Sequence, residues 1–90
     1  MTSAELEGHI ASLLDLQGNR CALTGIQFNY CEPDVDVNLL PSVDRIDSRG
    51  HYEAGNLQIV CRFINFWKGD GENEAFKRLL MLVRGIEVYE

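Results

Sequence analysis

Leu6, Ile10, Leu13 and Leu14 recur three and four residues apart, the spacing that lines up one face of a helix. Thr2 followed three residues later by Glu5 has the form of a capping box, and Gly18 is a stop signal, so the pattern predicts a helix over residues 3–17. Residues 21–28 read as two short strands about a Thr24-Gly25 turn. Residues 29–41, with Pro33, Pro41 and the acidic Glu32, Asp34 and Asp36, read as a loop.

Residues 41–47 have a β-branched character and run into a Ser48-Arg49-Gly50 turn. A second strand is predicted over residues 57–60, entered through Gly55-Asn56. Beyond it the period changes. Stepped at about 100° per residue, Val60, Phe63, Ile64 and Trp67 gather on one side of a short helix, and Arg62, Asn65 and Lys68 on the other. The reading is a helix with a packed face, including Trp67 in the core, and a chemical face. A last helix is predicted over residues 70–84, with Phe76, Leu79, Leu80 and Val83 as its core stripe and Gly85 closing it. The order strand, loop, strand, helix from residue 41, between flanking helices, makes the expected class α+β.

Ninety residues, 46% of them hydrophobic and 24% charged, make one domain with enough apolar side chains for a core. The reading leaves open a longer parent protein. No apolar run approaches the roughly 18 to 20 residues that span a bilayer. Glu5 and Glu7 stand where a signal peptide is basic, so a cytoplasmic location is expected. Cys21, Cys31 and Cys61 form no Cys-x-x-Cys pair and read as buried free thiols. The net charge of −6 argues against a simple basic DNA-binding module. The acidity is unevenly spread, however. Residues 1–41 hold Arg20 against six acidic side chains, whereas residues 42–78 hold six basic against six acidic ones. A neutral stretch of this kind binds nucleic acid weakly alone, and implies help from a metal ion, a further domain or a second copy in a homo-oligomer.

Three blocks of the sequence carry a resemblance: Pro-Ser-Val-Asp-Arg-Ile-Asp from residue 41, Gly-His-Tyr-Glu-Ala-Gly-Asn-Leu-Gln-Ile-Val-Cys from residue 50, and Ile-Asn-Phe-Trp-Lys from residue 64. Together with the upstream Arg-Cys-Ala-Leu-Thr-Gly and the downstream Glu-Ala-Phe-Lys, they resemble the HNH endonuclease family, over roughly residues 13–80. The resemblance implies a ββα-metal core at about residues 41–69, flanked by the N-terminal helix with its short hairpin and by the C-terminal helix. It implies that Asp44 on the first strand and Asn65 on the helix are ligands to one divalent cation. One carboxylate and one amide suit a hard ion, Mg²⁺ or Mn²⁺, that keeps several waters and takes a phosphate oxygen directly. It further implies that Asn56 ties the loop to the first strand.

Two departures from the family matter. Where relatives carry a histidine as general base this chain has Arg45, and arginine does not give up its proton in proteins. His51 and Tyr52 are the nearest replacements, and a histidine is the better base near neutral pH. Arg45 would then neutralise the scissile phosphate. Many relatives also clamp strands and helix with two Cys-x-x-Cys pairs. Here Thr24 follows Cys21 and Ile64 follows Cys61 at those spacings, so half the ligands are missing and structural zinc is not expected.

The expected activity is metal-dependent hydrolysis of a DNA phosphodiester, with double-stranded DNA as partner. Asp44 and Asn65 bind the metal, Arg45, His51 and Asn56 serve catalysis, and Arg49, Arg62 and Lys68 contact phosphates. The rival, favoured by the missing histidine and the acidic charge, is a nuclease-like fold that no longer cuts and serves as a nucleic-acid or protein binding module.

Overall fold

The first helix, α1 (Ser3–Leu16), begins at Thr2, whose hydroxyl accepts a hydrogen bond from the Glu5 amide at 3.1 Å and donates one to the Glu5 carboxylate at 3.0 Å. It ends where Gly18 and Asn19 turn left-handed, at φ 63° and 60°, which glycine and asparagine tolerate best. The computed structural model describes residues 2–29 and 35–85. The thiol expected to be buried at Cys31, and residues 30–34 of the loop expected over residues 29–41, lie outside them.

Strands β1 (Pro41–Arg45) and β2 (Leu57–Cys61) form a two-stranded antiparallel sheet, with Val43 opposite Ile59 and Asp44 opposite Gln58. Helix α2 (Arg62–Lys68) follows β2 directly, and α3 (Asn73–Arg84) packs beyond it. Every residue of β2 is buried, so this strand is the centre of the molecule. A two-stranded sheet leaves edges that need partners. At β2 the partner is a side chain. The Gln17 amide pairs with both the N–H and the C=O of Ile59, at 3.0 and 2.9 Å, while the Ala22 N–H donates to the same carbonyl at 3.0 Å.

Ile59, Val60, Cys61 and Ile64 form the heart of one apolar cluster with Cys21, Phe28, Phe76 and Leu80. Leu13, Leu14 and Val43 pack against it. So small a core places much of the burden of orienting α2 on polar contacts, which are described below.

Several expectations give way here. The hairpin expected over residues 21–28 reduces to a turn closed by one isolated bridge, between Arg20 and Gln27. Helix α3 starts at Asn73, since Gly71 instead turns back to donate to the Lys68 carbonyl at 2.9 Å. Its core stripe is narrower than its apolar residues suggest: Asn73, Phe76 and Leu80 are buried, but Leu79 and Val83 are about half exposed. Trp67 is not a core residue. It is 47% exposed and meets Phe76 edge-on, with ring centroids 5.0 Å apart. Among the described residues no helix is long and apolar enough to cross a membrane.

Candidate functional site

Antiparallel pairing directs the side chains of Ser42 and Asp44 to one face of β1, and α2 lies against that face. A polar strand face needs a polar helix face. Asn65 supplies it by donating from Nδ2 to the Ser42 hydroxyl at 2.6 Å and to the Val43 carbonyl at 3.2 Å. Only a nitrogen can donate to a carbonyl, so these bonds fix the amide and leave Oδ1 as its spare acceptor. Among the described residues Oδ1 has no hydrogen-bond partner.

Asp44 is 6% exposed and held just as firmly. Its Oδ2 accepts from the Gln58 amide at 2.8 Å and from the Lys68 ammonium at 2.6 Å, and Gln58 reaches on to Asn73 at 2.8 Å. The second oxygen, Oδ1, makes no hydrogen bond among the described residues. Lys68 was expected on the exposed phosphate-binding face; it is instead buried, its Nζ also donating to the Arg45 carbonyl at 2.7 Å. Four residues along a helix is a turn of only about 40° beyond a full circle, so Lys68 follows Ile64 inward. The partner that makes this tolerable is Asp44, since a lysine is buried only when paired.

Asp44 and Asn65 line the same cleft, of about 210 Å³, together with Arg45, Ser48, Tyr52, Gly69 and Asp70. The donor types suit a hard cation: among the described residues one oxygen each on Asp44 and Asn65 is without a hydrogen bond, and Asp70 lines the same cleft. Sequence reasoning passed over Asp70; the signal was its position immediately after Gly69, whose backbone at φ 55° ends α2 and turns the chain beside the cleft. Among the described residues no group of three or more His, Cys, Asp and Glu side chains converges as a ready cage. An ion here would therefore keep waters in its shell.

The remaining expected residues divide. Arg45 lines the cleft, its guanidinium donating to the Gly50 carbonyl at 3.0 Å and lying 5.0 Å over the Tyr52 ring. Asn56 secures the loop between the strands: its Oδ1 accepts from the Asp47 N–H at 2.8 Å, and its Nδ2 donates to the carbonyls of Asp47 and His51 at 3.1 and 3.0 Å. In that loop the backbone N–H of Arg49, foremost, holds the Asp47 carboxyl below the usual carboxylate range. His51 is exposed and is not among the residues lining the cleft, whereas Tyr52 is. Arg49 is exposed, stands outside the cleft and is shared by Asp47 and Glu72, each at 3.4 Å. Arg62 lines a neighbouring cleft of about 430 Å³ with Leu40, Pro41, Ser42 and Phe66, and Asn65 borders both.

Cys21 and Cys61 are buried side by side, the Cys61 N–H directed at the Cys21 sulfur at 3.4 Å. Burial, reinforced by Cys21, pushes the Cys61 thiol up to about 12. Ile64, at the spacing where a further ligand would stand, is 1% exposed and belongs to the apolar cluster. No family model, curated protein or solved structure matches the chain.

Proposed function

We propose that this chain is a metal-dependent DNA nuclease of the HNH type, with a ββα-metal centre formed by β1, β2 and α2. The observation that carries the reading is that Asp44 and Asn65 line one cleft, each with an oxygen that makes no hydrogen bond among the described residues. A strand carboxylate and a helix amide far apart in sequence would hold one Mg²⁺ or Mn²⁺, which would stabilise charge building on a phosphate during attack by water. Arg45 in the same cleft is suited to the phosphate charge. Asn56 acts as a positioning residue through the loop. For the base, Tyr52 gains weight from its place in the cleft wall and His51 loses it.

The rival reading, a nuclease-like fold that binds without cutting, is favoured by one contact. The Lys68 ammonium already sits 2.6 Å from the proposed ligand Asp44, and its positive charge opposes a cation beside it.

The test is nicking of supercoiled plasmid by wild type in Mg²⁺ or Mn²⁺, against EDTA and against Asp44→Ala and Asn65→Ala. Metal-dependent nicking lost in both variants supports the enzyme. An inert wild type that still takes up metal supports the rival.

A further inference from the structure

Arg62 and Phe66 stand four residues apart on α2, on the same exposed side of the helix. Phe66 is 76% exposed, and the Arg62 guanidinium lies 5.8 Å from its ring centroid. Among the described residues no carboxylate pairs with Arg62, in contrast to Arg49, Lys68 and Lys77. An unneutralised cation beside an open aromatic face is what a nucleotide requires: charge for its phosphate and a π surface for its base. The cleft they line with Leu40, Pro41 and Ser42 falls within the size range of small-ligand sites.

The arrangement is repeated across Asn65. On one side Arg45 lies over Tyr52, and on the other Arg62 lies over Phe66. We infer that Phe66 and Arg62 form a nucleobase-stacking site for an unpaired nucleotide next to the phosphate that a metal ion at Asp44 and Asn65 would hold, so that the DNA bound is single-stranded or locally opened there. The identity of the ligand as DNA rests on the proposed nuclease reading. The stacking site itself needs no metal. Duplex DNA keeps its bases stacked on one another and offers Phe66 no free face, so this site sets a preference for unpaired strands.

The experiment measures binding of a short single-stranded oligodeoxynucleotide carrying 2-aminopurine, in EDTA and at low salt, against the same sequence as a duplex. Wild type should bind the single strand more tightly and quench its fluorescence. Phe66→Ala should weaken single-strand binding about 5- to 150-fold, the range supplied by stacking of one base, and abolish the quench. Phe66→Tyr should restore both. The exposed position keeps either variant folded, and an unchanged melting temperature confirms it. Single-strand affinity unaffected by Phe66→Ala, a wild-type preference for duplex, or no binding of either overturns the inference. So does loss of a wild-type dimer in Phe66→Ala without a change in DNA binding, which would assign the surface to a second copy. EDTA keeps these outcomes separate from those of the nicking assay, which depend on the metal.

Discussion

The Lys68 ammonium meets the Asp44 carboxylate at 2.6 Å with both side chains out of solvent, 0% and 7% exposed respectively. Because the contact engages only Oδ2, it fixes the carboxylate's rotation and leaves Oδ1 without a hydrogen bond among the described residues. One ion pair thus locks α2 onto β1 and sets the proposed metal ligand.

Replacing Lys68 by methionine keeps the packing of the stem and removes the charge. An unpaired buried carboxylate costs about 3–5 kcal/mol, so Lys68→Met should lose stability by that order in denaturant titrations with EDTA. A divalent ion restores a positive partner for Asp44. Mn²⁺ should therefore raise the melting temperature of Lys68→Met more than that of wild type; equal shifts in the two proteins would detach Asp44 from metal binding.

Gly50 and Asn56 form a coupled pair in the loop between the strands. A Cβ on Gly50 would lie 2.7 Å from Asn56 Nδ2, closer than such contacts allow. Asn56→Ala removes three hydrogen bonds of that loop, and Gly50→Ala displaces the same amide. Each is expected to destabilise by about 1–3 kcal/mol. Residues sharing one set of contacts do not add. The double variant should be less destabilised than the sum of the two singles, and full additivity in a double-mutant cycle would show that the amide is not what Gly50 accommodates.

The Cys61 thiol titrates at about 12 in the fold against an ordinary value of 9.0. Between those values the unfolded chain gives up a proton that the folded chain keeps, so stability falls as pH rises. The contribution is present in full below pH 9.0 and disappears on approach to about 12. Unfolding followed from pH 8 to 11 should show a steeper decline in wild type than in Cys61→Ala, by up to about 1.4 kcal/mol per pH unit. Parallel declines would contradict the burial of this thiol.

Much of the chain's local order is legible in the sequence, because short-range physics writes it. Thr2, Glu5 and Gly18 delimit α1 through capping and left-handed backbone, and the change of period after Val60 marks the passage from β2 to α2. The orientation of α2 is less legible. Apolar side chains alone pointed to a buried face through Phe63, Ile64 and Trp67, but the observed one runs through Ile64, Asn65 and Lys68. The reason is the other surface: Ser42 and Asp44 present hydrogen-bonding groups, and burying them against Trp67 would leave them unsatisfied. Such complementarity belongs to two segments far apart in the chain, and the pattern of either one does not contain it. Asp70 went unnoticed for the same reason, since it joins the cleft through a turn rather than through a periodic face.

The claim on which the account depends is that Asp44 and Asn65 hold one divalent cation. It is tested most directly by titrating Mn²⁺ into wild type and Asn65→Ala and following the electron paramagnetic resonance signal of the free aqueous ion, with melting temperatures recorded alongside. The expected result is one Mn²⁺ taken up per chain by wild type, and binding weaker by more than about tenfold in a folded Asn65→Ala, since even the outer partners of metal ligands contribute 10- to 100-fold. Absence of uptake by wild type, or equal uptake by the two proteins, would contradict it.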